Sequence, residues 1–251
     1  MEPEIKKENR FSIPLAIIVA GAIIAGALLL KGSTPPKSGD GASNNGTQAG
    51  EPAPVTDKDI TKGNPKAGVS LILYTDFQCP FCGAVSGLMP ADAQLIKIMK
   101  QRDSNWSPFM PEVMNYIKDG KVLFVYRDYA FLGSESLRSS EAARCAGDQG
   151  KFWEYHDYLY SHQNGENEGA FSDANLKTFA KNLGLDANSF DTCLDSNKYA
   201  QAITDSKSEG DKAGVTGTPK GFILKDGKVV GTIDGAESAQ TVKAKLESAL
   251  K

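Results

Sequence analysis

The sequence predicts an α/β domain, a sheet with a long helical insertion, carried behind one transmembrane helix and a flexible linker. Three observations lead there. An uncharged apolar run fills Phe11 to Leu30, short strand-like runs stand at both ends of the chain that follows, and the patterns between them are helical. Composition sets the outer bounds. With 251 residues, 40% hydrophobic and 24% charged, the chain has ordinary globular values, which excludes wholesale disorder, a collagen-like repeat and a multi-span membrane protein. Lys and Arg number 28 against 31 Asp and Glu, so no basic footprint points to a nucleic acid. Four cysteines are too few for a disulfide-dense scaffold.

Residues 1–10 carry Lys6, Lys7 and Arg10, whereas only Lys31 closely follows the apolar run. The positive-inside rule therefore leaves a cytoplasmic tail at 1–10 and exports the rest. Residues 11–30 make about 30 Å of helix, enough to cross a bilayer core as a signal anchor. A cleaved signal peptide is the alternative, favoured by Ala20, Ala22, Ala25 and Ala27 and opposed by Leu28, Leu29 and Leu30. Residues 31–54 (KGSTPPKSGDGASNNGTQAGEPAP) lack the apolar surface to offset ordering entropy and read as a disordered linker. Residues 55–251 then form one folded domain, placed outside the membrane of a single-pass protein.

Within it, Val69 to Tyr74 (VSLILY) is an apolar run too short for an independent helix and reads as a buried strand. Helical runs in Met89 to Lys118 are broken by Pro90, Pro108 and Pro111, and no chemistry attaches to them. Lys121 to Tyr126 (KVLFVY), led by the turn signal Asp119-Gly120, is a second strand. From about 134 to 213 the patterns are helical. Ser172-Asp173 can cap Asn175 to Leu183, Gly184 follows as a C-terminal stop, and Asp186 starts another turn. Phe222 to Leu224 and Val229 to Ile233 flank Asp226-Gly227, a hairpin signal. Ser238 to Leu250 closes the chain as a helix with Val242, Leu246 and Leu250 on one side.

Cys79-Pro80-Phe81-Cys82 follows the first strand where a helix should begin, a context that favours thiol redox chemistry. Free N–H groups and the dipole of a helix N-terminus favour a negative charge on the first sulfur. Cys79 is then the attacking and leaving sulfur, and Cys82, one turn on, resolves the mixed disulfide. Pro80 suits the first turn because its missing N–H would be unpaired there. A structural zinc site lacks its second close ligand pair. His156 and His162, six apart in FWEYHDYLYSH, do not share a helix face and read as packing or surface residues.

Five segments in order, DITKGNPKAGVSLILYTDFQCPFC, GKVLFVYRDY, EAARCAGDQGKFWEYHDYLYSHQ, FDTCLDSNKYA and GVTGTPKGFILKDGKVVG, resemble the DsbA-like thiol–disulfide oxidoreductases, in particular their membrane-anchored bacterial branch. The resemblance spans about Asp59 to Gly231. It implies a thioredoxin fold with an inserted helical domain, Cys79 and Cys82 as the redox pair, and Thr218-Pro219 as a cis-proline dipeptide beside the sulfurs that offers backbone groups to substrate. The alternative for that dipeptide is a trans-proline turn.

The chain also departs from the family. Phe81 stands where the best-known members have His, Leu73 occupies a position that is acidic in some relatives, and Lys220-Gly221 follows the proline. Asp76 is the nearest preceding acid, either a proton-transfer group or a structural cap. Cys145 and Cys193 lie where relatives can carry a second disulfide, which would stabilise the insertion by roughly 4 kcal/mol in the chain-entropy picture. Two buried free thiols are the alternative.

The function implied is disulfide donation from Cys79-Cys82 to exported polypeptides with cysteine thiols. Re-oxidation would fall to a membrane quinone reductase of the DsbB or VKOR type. No metal, flavin or nucleotide cofactor is required, because the electrons pass through the cysteines. A reductase or isomerase, or a peptide-binding or chaperone module without redox turnover, are the rival readings.

Overall fold

The computed structural model describes residues 50–91 and 93–251. The tail at 1–10, the membrane span at 11–30 and the linker up to residue 49 lie outside the described residues. Among the described residues no helix is long and apolar enough to cross a membrane.

Two strands organise the domain, β2 (Val69–Thr75) and β3 (Val122–Asp128), paired in parallel from Val69 opposite Val122 to Thr75 opposite Asp128. Both read as largely apolar runs because both faces are covered. Leu71, Leu73, Phe124 and Tyr126 enter the larger core, while Ile72, Tyr74, Leu123 and Val125 enter a smaller one on the other face. Three further strands complete a five-stranded sheet in the order β1-β3-β2-β4-β5. They are β1 (Ile60–Lys62), β4 (Lys220–Lys225) and β5 (Lys228–Asp234), each antiparallel to its neighbour.

The hairpin between β4 and β5 turns at Asp226 and Gly227, with φ of 49° and 78°. Both central residues thus adopt the positive φ that a tight two-residue turn of matching twist requires. Farther along, Ile223 pairs with Gly231 and Leu224 with Val229, so Val230 is an extra, unpaired residue that bulges from β5.

Between β2 and β3 lie α1 (Pro80–Ser86), α2 (Gln94–Arg102) and α3 (Met110–Lys118). Pro90 and Pro108 fall outside the helices, and Pro80 and Pro111 stand in first turns where no N–H is needed. The insertion comprises α4 (Ser134–Gly147), α5 (Phe152–Ser161), α6 (Asp173–Asn182), α7 (Ala187–Asp195) and α8 (Ala200–Lys212). Asp186 caps α7 by accepting from the Ser189 N–H at 2.8 Å. The last helix, α9 (Ala239–Ala249), buries Val242 and Leu246 against the larger core.

Described residues that precede position 55 are bonded to the domain. The Gly50 N–H donates to the Lys212 carbonyl, and the Ala53 N–H to Glu209 Oε1. Arg127, 6% exposed, reaches the Pro54 carbonyl and also holds Asp59 at 2.9 Å and Glu209 at 3.3 Å. A buried guanidinium with five donors gathers acceptors from several segments, and here it ties the end of the linker sequence to α8 and β3.

Candidate active site

At the carboxyl end of β2 the chain turns through Thr75-Asp76-Phe77-Gln78 into α1, and Cys79 is the residue that caps that helix. Its sulfur therefore faces the free N–H groups of the first turn. The neighbouring Cys82 side chain does most to pull the Cys79 thiol down to about 7. Burial opposes it, while Thr218 and the backbone N–H groups of Cys82 and Phe81 add to it. Cys82 shows the reverse. It is 1% exposed, and burial, reinforced by the adjacent Cys79, pushes its thiol well above the ordinary range. One sulfur is poised to ionise and the other to stay protonated.

The Thr218-Pro219 bond is cis and stands beside the pair, with the Cys79 thiol donating to the Thr218 carbonyl at 3.3 Å. Pro219 is buried, Pro80 occupies the first turn of α1, and Phe81 is 41% exposed at the tip of the motif. The neighbouring departures from the family explain one another. Leu73 lies opposite Gly221 in the β2–β4 register, and a Cβ at Gly221 would come within 3.0 Å of the Ile233 Cβ and 3.3 Å of Leu73 Cδ1. Leu73 and Ile233 fill that place with apolar atoms, so a side chain at 221 would crowd them.

Asp76 is fully buried, and burial raises its carboxyl pKa. Oδ1 accepts from the Gln78 N–H at 2.8 Å, and Oδ2 from the N–H groups of Phe131 and Leu132 at 2.9 and 3.2 Å. Its position is that of a clamp between the loops that follow β2 and β3.

Other holding residues carry no signal in the sequence pattern. Gln163, just past α5, donates through Nε2 to the carbonyls of Phe77 and Cys79 at 2.6 and 3.1 Å. It sits so close to α1 that a Cβ at Gly83 would lie 2.6 Å from its Oε1. Gln78 donates to Glu135 at 3.0 Å, and Glu135 in turn accepts from the N–H groups of Gly169 and Phe171 at 2.8 Å. The insertion thus braces the turn that presents Cys79.

Cys145 on α4 and Cys193 on α7 are joined by a disulfide, with 2.04 Å between the sulfurs and 5.8 Å between the Cα atoms. His162 stacks on Tyr158, ring centroids 3.9 Å apart. His156 points elsewhere, into a cavity it shares with Cys82.

A thioredoxin family model matches residues 109–247, from the approach to α3 through α9, and so includes Thr218-Pro219. Among curated proteins, the Na(+)/H(+) antiporter NhaA 1 of Salinispora arenicola is 31% identical over 167 residues, 66% of this chain and 22% of its own length. The Na(+)/H(+) antiporter NhaA 3 of Salinispora tropica is 29% identical over 169 residues, with the same coverage. The chain therefore spans under a quarter of the length of these relatives.

Among solved structures, the thiol–disulfide exchange protein α-DsbA2 of Wolbachia pipientis superposes with a TM-score of 0.58 at 23% identity, over 76% of this chain and 87% of that one. Wolbachia pipientis α-DsbA1 gives 0.62 at 18% identity over 78% and 92%. Oxidised BdbD of Bacillus subtilis gives 0.61 at 19% over 81% and 99%. By its matching family model over more than half its length, and with a fold of the DsbA-like type, this chain belongs to the thioredoxin family.

Proposed function

We propose that this protein is an enzyme, a thiol–disulfide oxidoreductase that exchanges disulfides with exported polypeptides through Cys79 and Cys82. The observation that carries the reading is the placement of the Cys79 sulfur at the start of α1 and against the cis Thr218-Pro219 backbone, its thiol held near 7. In the donating direction a substrate thiolate attacks Cys79 Sγ, the bond to Cys82 breaks, and Cys82 leaves with the electron pair and takes up a proton. A second substrate thiolate then attacks the substrate sulfur of the mixed disulfide and expels Cys79 as a thiolate. The substrate loses two electrons and the cysteine pair gains them.

The thiol chemistry is read from this chain's own residues; the antiporter relatives match it over a minor part of their length. Residues 11–30 would hold the domain at the outer face of the membrane. A quinone reductase of the DsbB or VKOR type would re-oxidise the pair there.

A second reading, reductase or isomerase, is favoured by one specific observation. A thiol near 7 matches the thioredoxin value rather than the roughly 3.5 of a strongly oxidising thiol, and Phe81 supplies no cation to lower it. Equilibration with a glutathione buffer decides between them. A potential of about −120 to −180 mV supports donation, and one near −270 mV supports the reductase. A chaperone without redox turnover requires Cys79→Ser to retain activity towards an exported client, an outcome that would remove both enzyme readings.

A further inference from the structure

Cys82 must gain a proton each time it leaves a disulfide and lose one each time it attacks, yet it is buried away from bulk water. The fold has to supply a route. Asp76 has its carboxylate occupied by three backbone N–H groups, and Leu73 is apolar. What Cys82 does face is a partly open cavity of about 210 Å³ between the sheet, α1, α3 and α5, whose lining includes Thr75, Tyr126, His156 and Tyr160.

Two features make this cavity suited to protons. The hydroxyls of Thr75 and Tyr160 are buried without a hydrogen-bond partner among the described residues. Buried polar groups of that kind are characteristically satisfied by ordered water, and each water takes about 30 Å³ of liquid volume, so the space holds several. His156 supplies the second feature. Its ring lies 4.9 Å from that of Tyr160 and 5.7 Å from that of Tyr126, centroid to centroid, and Nδ1 contacts Asp157 Oδ1 at 2.8 Å. Its side chain retains 12% exposure, so the imidazole bridges the cavity and solvent. Besides Asp157, Tyr160 and Tyr126, the ionisable groups on this cavity are Cys82 from α1 and Lys62 from β1.

We propose that protons reach and leave Cys82 through this cavity, passed by the Tyr160 hydroxyl and cavity water to His156, which exchanges them with solvent. Burial keeps the Tyr160 phenol protonated, so it relays a proton without storing charge. During re-oxidation by a disulfide compound, the Cys79 thiolate attacks one of its sulfurs and expels the other half as a thiolate. The Cys82 S–H bond then breaks, its proton goes to His156, Cys82 Sγ bonds to Cys79 Sγ, and the remaining half leaves as a second thiolate. The cysteine pair is oxidised by two electrons and the disulfide compound reduced.

Stopped-flow oxidation of the reduced full chain by glutathione disulfide separates attack by Cys79 from resolution by Cys82. In the second phase Cys79 is locked in the mixed disulfide and cannot titrate, so any pH inflection reports another group. The expected profile has such an inflection. His156→Asn should abolish it and slow resolution at pH 7 by about a hundredfold, leaving the first phase unchanged. Tyr160→Phe should slow resolution but keep the inflection.

A His156→Asn variant with unaltered rate and profile overturns the inference. Should that variant fail to fold, an unaltered resolution rate in Tyr160→Phe overturns it equally. The inference rests on Cys79-Cys82 being a working redox pair. Absence of the first phase in the wild-type protein would sink that reading and this one together, whereas a normal first phase with an insensitive second sinks this one alone.

Discussion

Cys145 and Cys193 stand 48 residues apart and are brought together by the packing of α4 against α7, whereas Cys79 and Cys82 are neighbours by sequence and need no tertiary contact to meet. All four are buried. What tertiary structure gives the first pair is proximity; what it gives the second is inequality. In the insertion two sulfurs share one bond and no charge develops. At α1 the surroundings split two identical thiols, drawing one down to about 7 and pushing the other up. Burial alone therefore does not define the role of a cysteine, and the donors around its sulfur do.

The largest test removes the structural bond. Replacing Cys145 and Cys193 together by alanine should lower the unfolding free energy by about 4 kcal/mol in urea titrations, from the loop the bond closes. The thiolate absorbance titration of Cys79 should stay where it is; a shift would show that the two regions are not independent.

A smaller effect follows from ionisation. Folding lowers the Cys79 pKa from an ordinary value of about 8.5 to about 7, so the fold favours the thiolate. That stabilisation is fully present above about pH 8.5 and is lost as pH falls through about 7. Cys82, pushed the other way, stays protonated in the fold while its unfolded counterpart ionises, which offsets about half of this, so the reduced protein should gain about 1 kcal/mol relative to its Cys79-Cys82 disulfide form on going from pH 6.5 to 9. Paired urea melts of the two forms across that range measure it. A flat difference would mean that the two thiols are not split.

The most local change tests the missing cation. Phe81→His places an imidazole at the exposed tip of the motif and should lower the Cys79 pKa by about one unit, shifting the pair by about 30 mV towards the oxidising side. An unchanged titration would indicate that the Cys82 thiol and the helix N–H groups already set the charge preference.

The sequence was most legible where burial is two-sided or where a cap is chemical. The runs of β2 and β3 are largely apolar because both sheet faces are covered, and Asp186 and Ser238 stand at the starts of α7 and α9 with side chains bonded to the backbone. β1 was invisible because it is three residues long, has a single apolar residue, and is held by pairing to β3 alone.

At the site, Cys79, Cys82, Thr218 and Pro219 are legible from motif and resemblance. Gln163 and Glu135 are not, because they act across long sequence separations on backbone groups that leave no side-chain pattern. For Asp76 the sequence offered two roles, and the three backbone donors around it give the structural one a mechanism. His156 read as a packing residue since only the assembled sheet and α1 reveal the space it lines.

The bulge at Val230 has a consequence for how such a domain lives among unfolded chains. β5 forms one border of the sheet, and its unpaired N–H and C=O groups would template a strand from any extended polypeptide. Val230 is 53% exposed and breaks the regular spacing of those groups midway along the strand, while the opposite border ends in a β1 of only three residues. Among the described residues the sheet thereby presents no long, even edge on which extended polypeptides could polymerise.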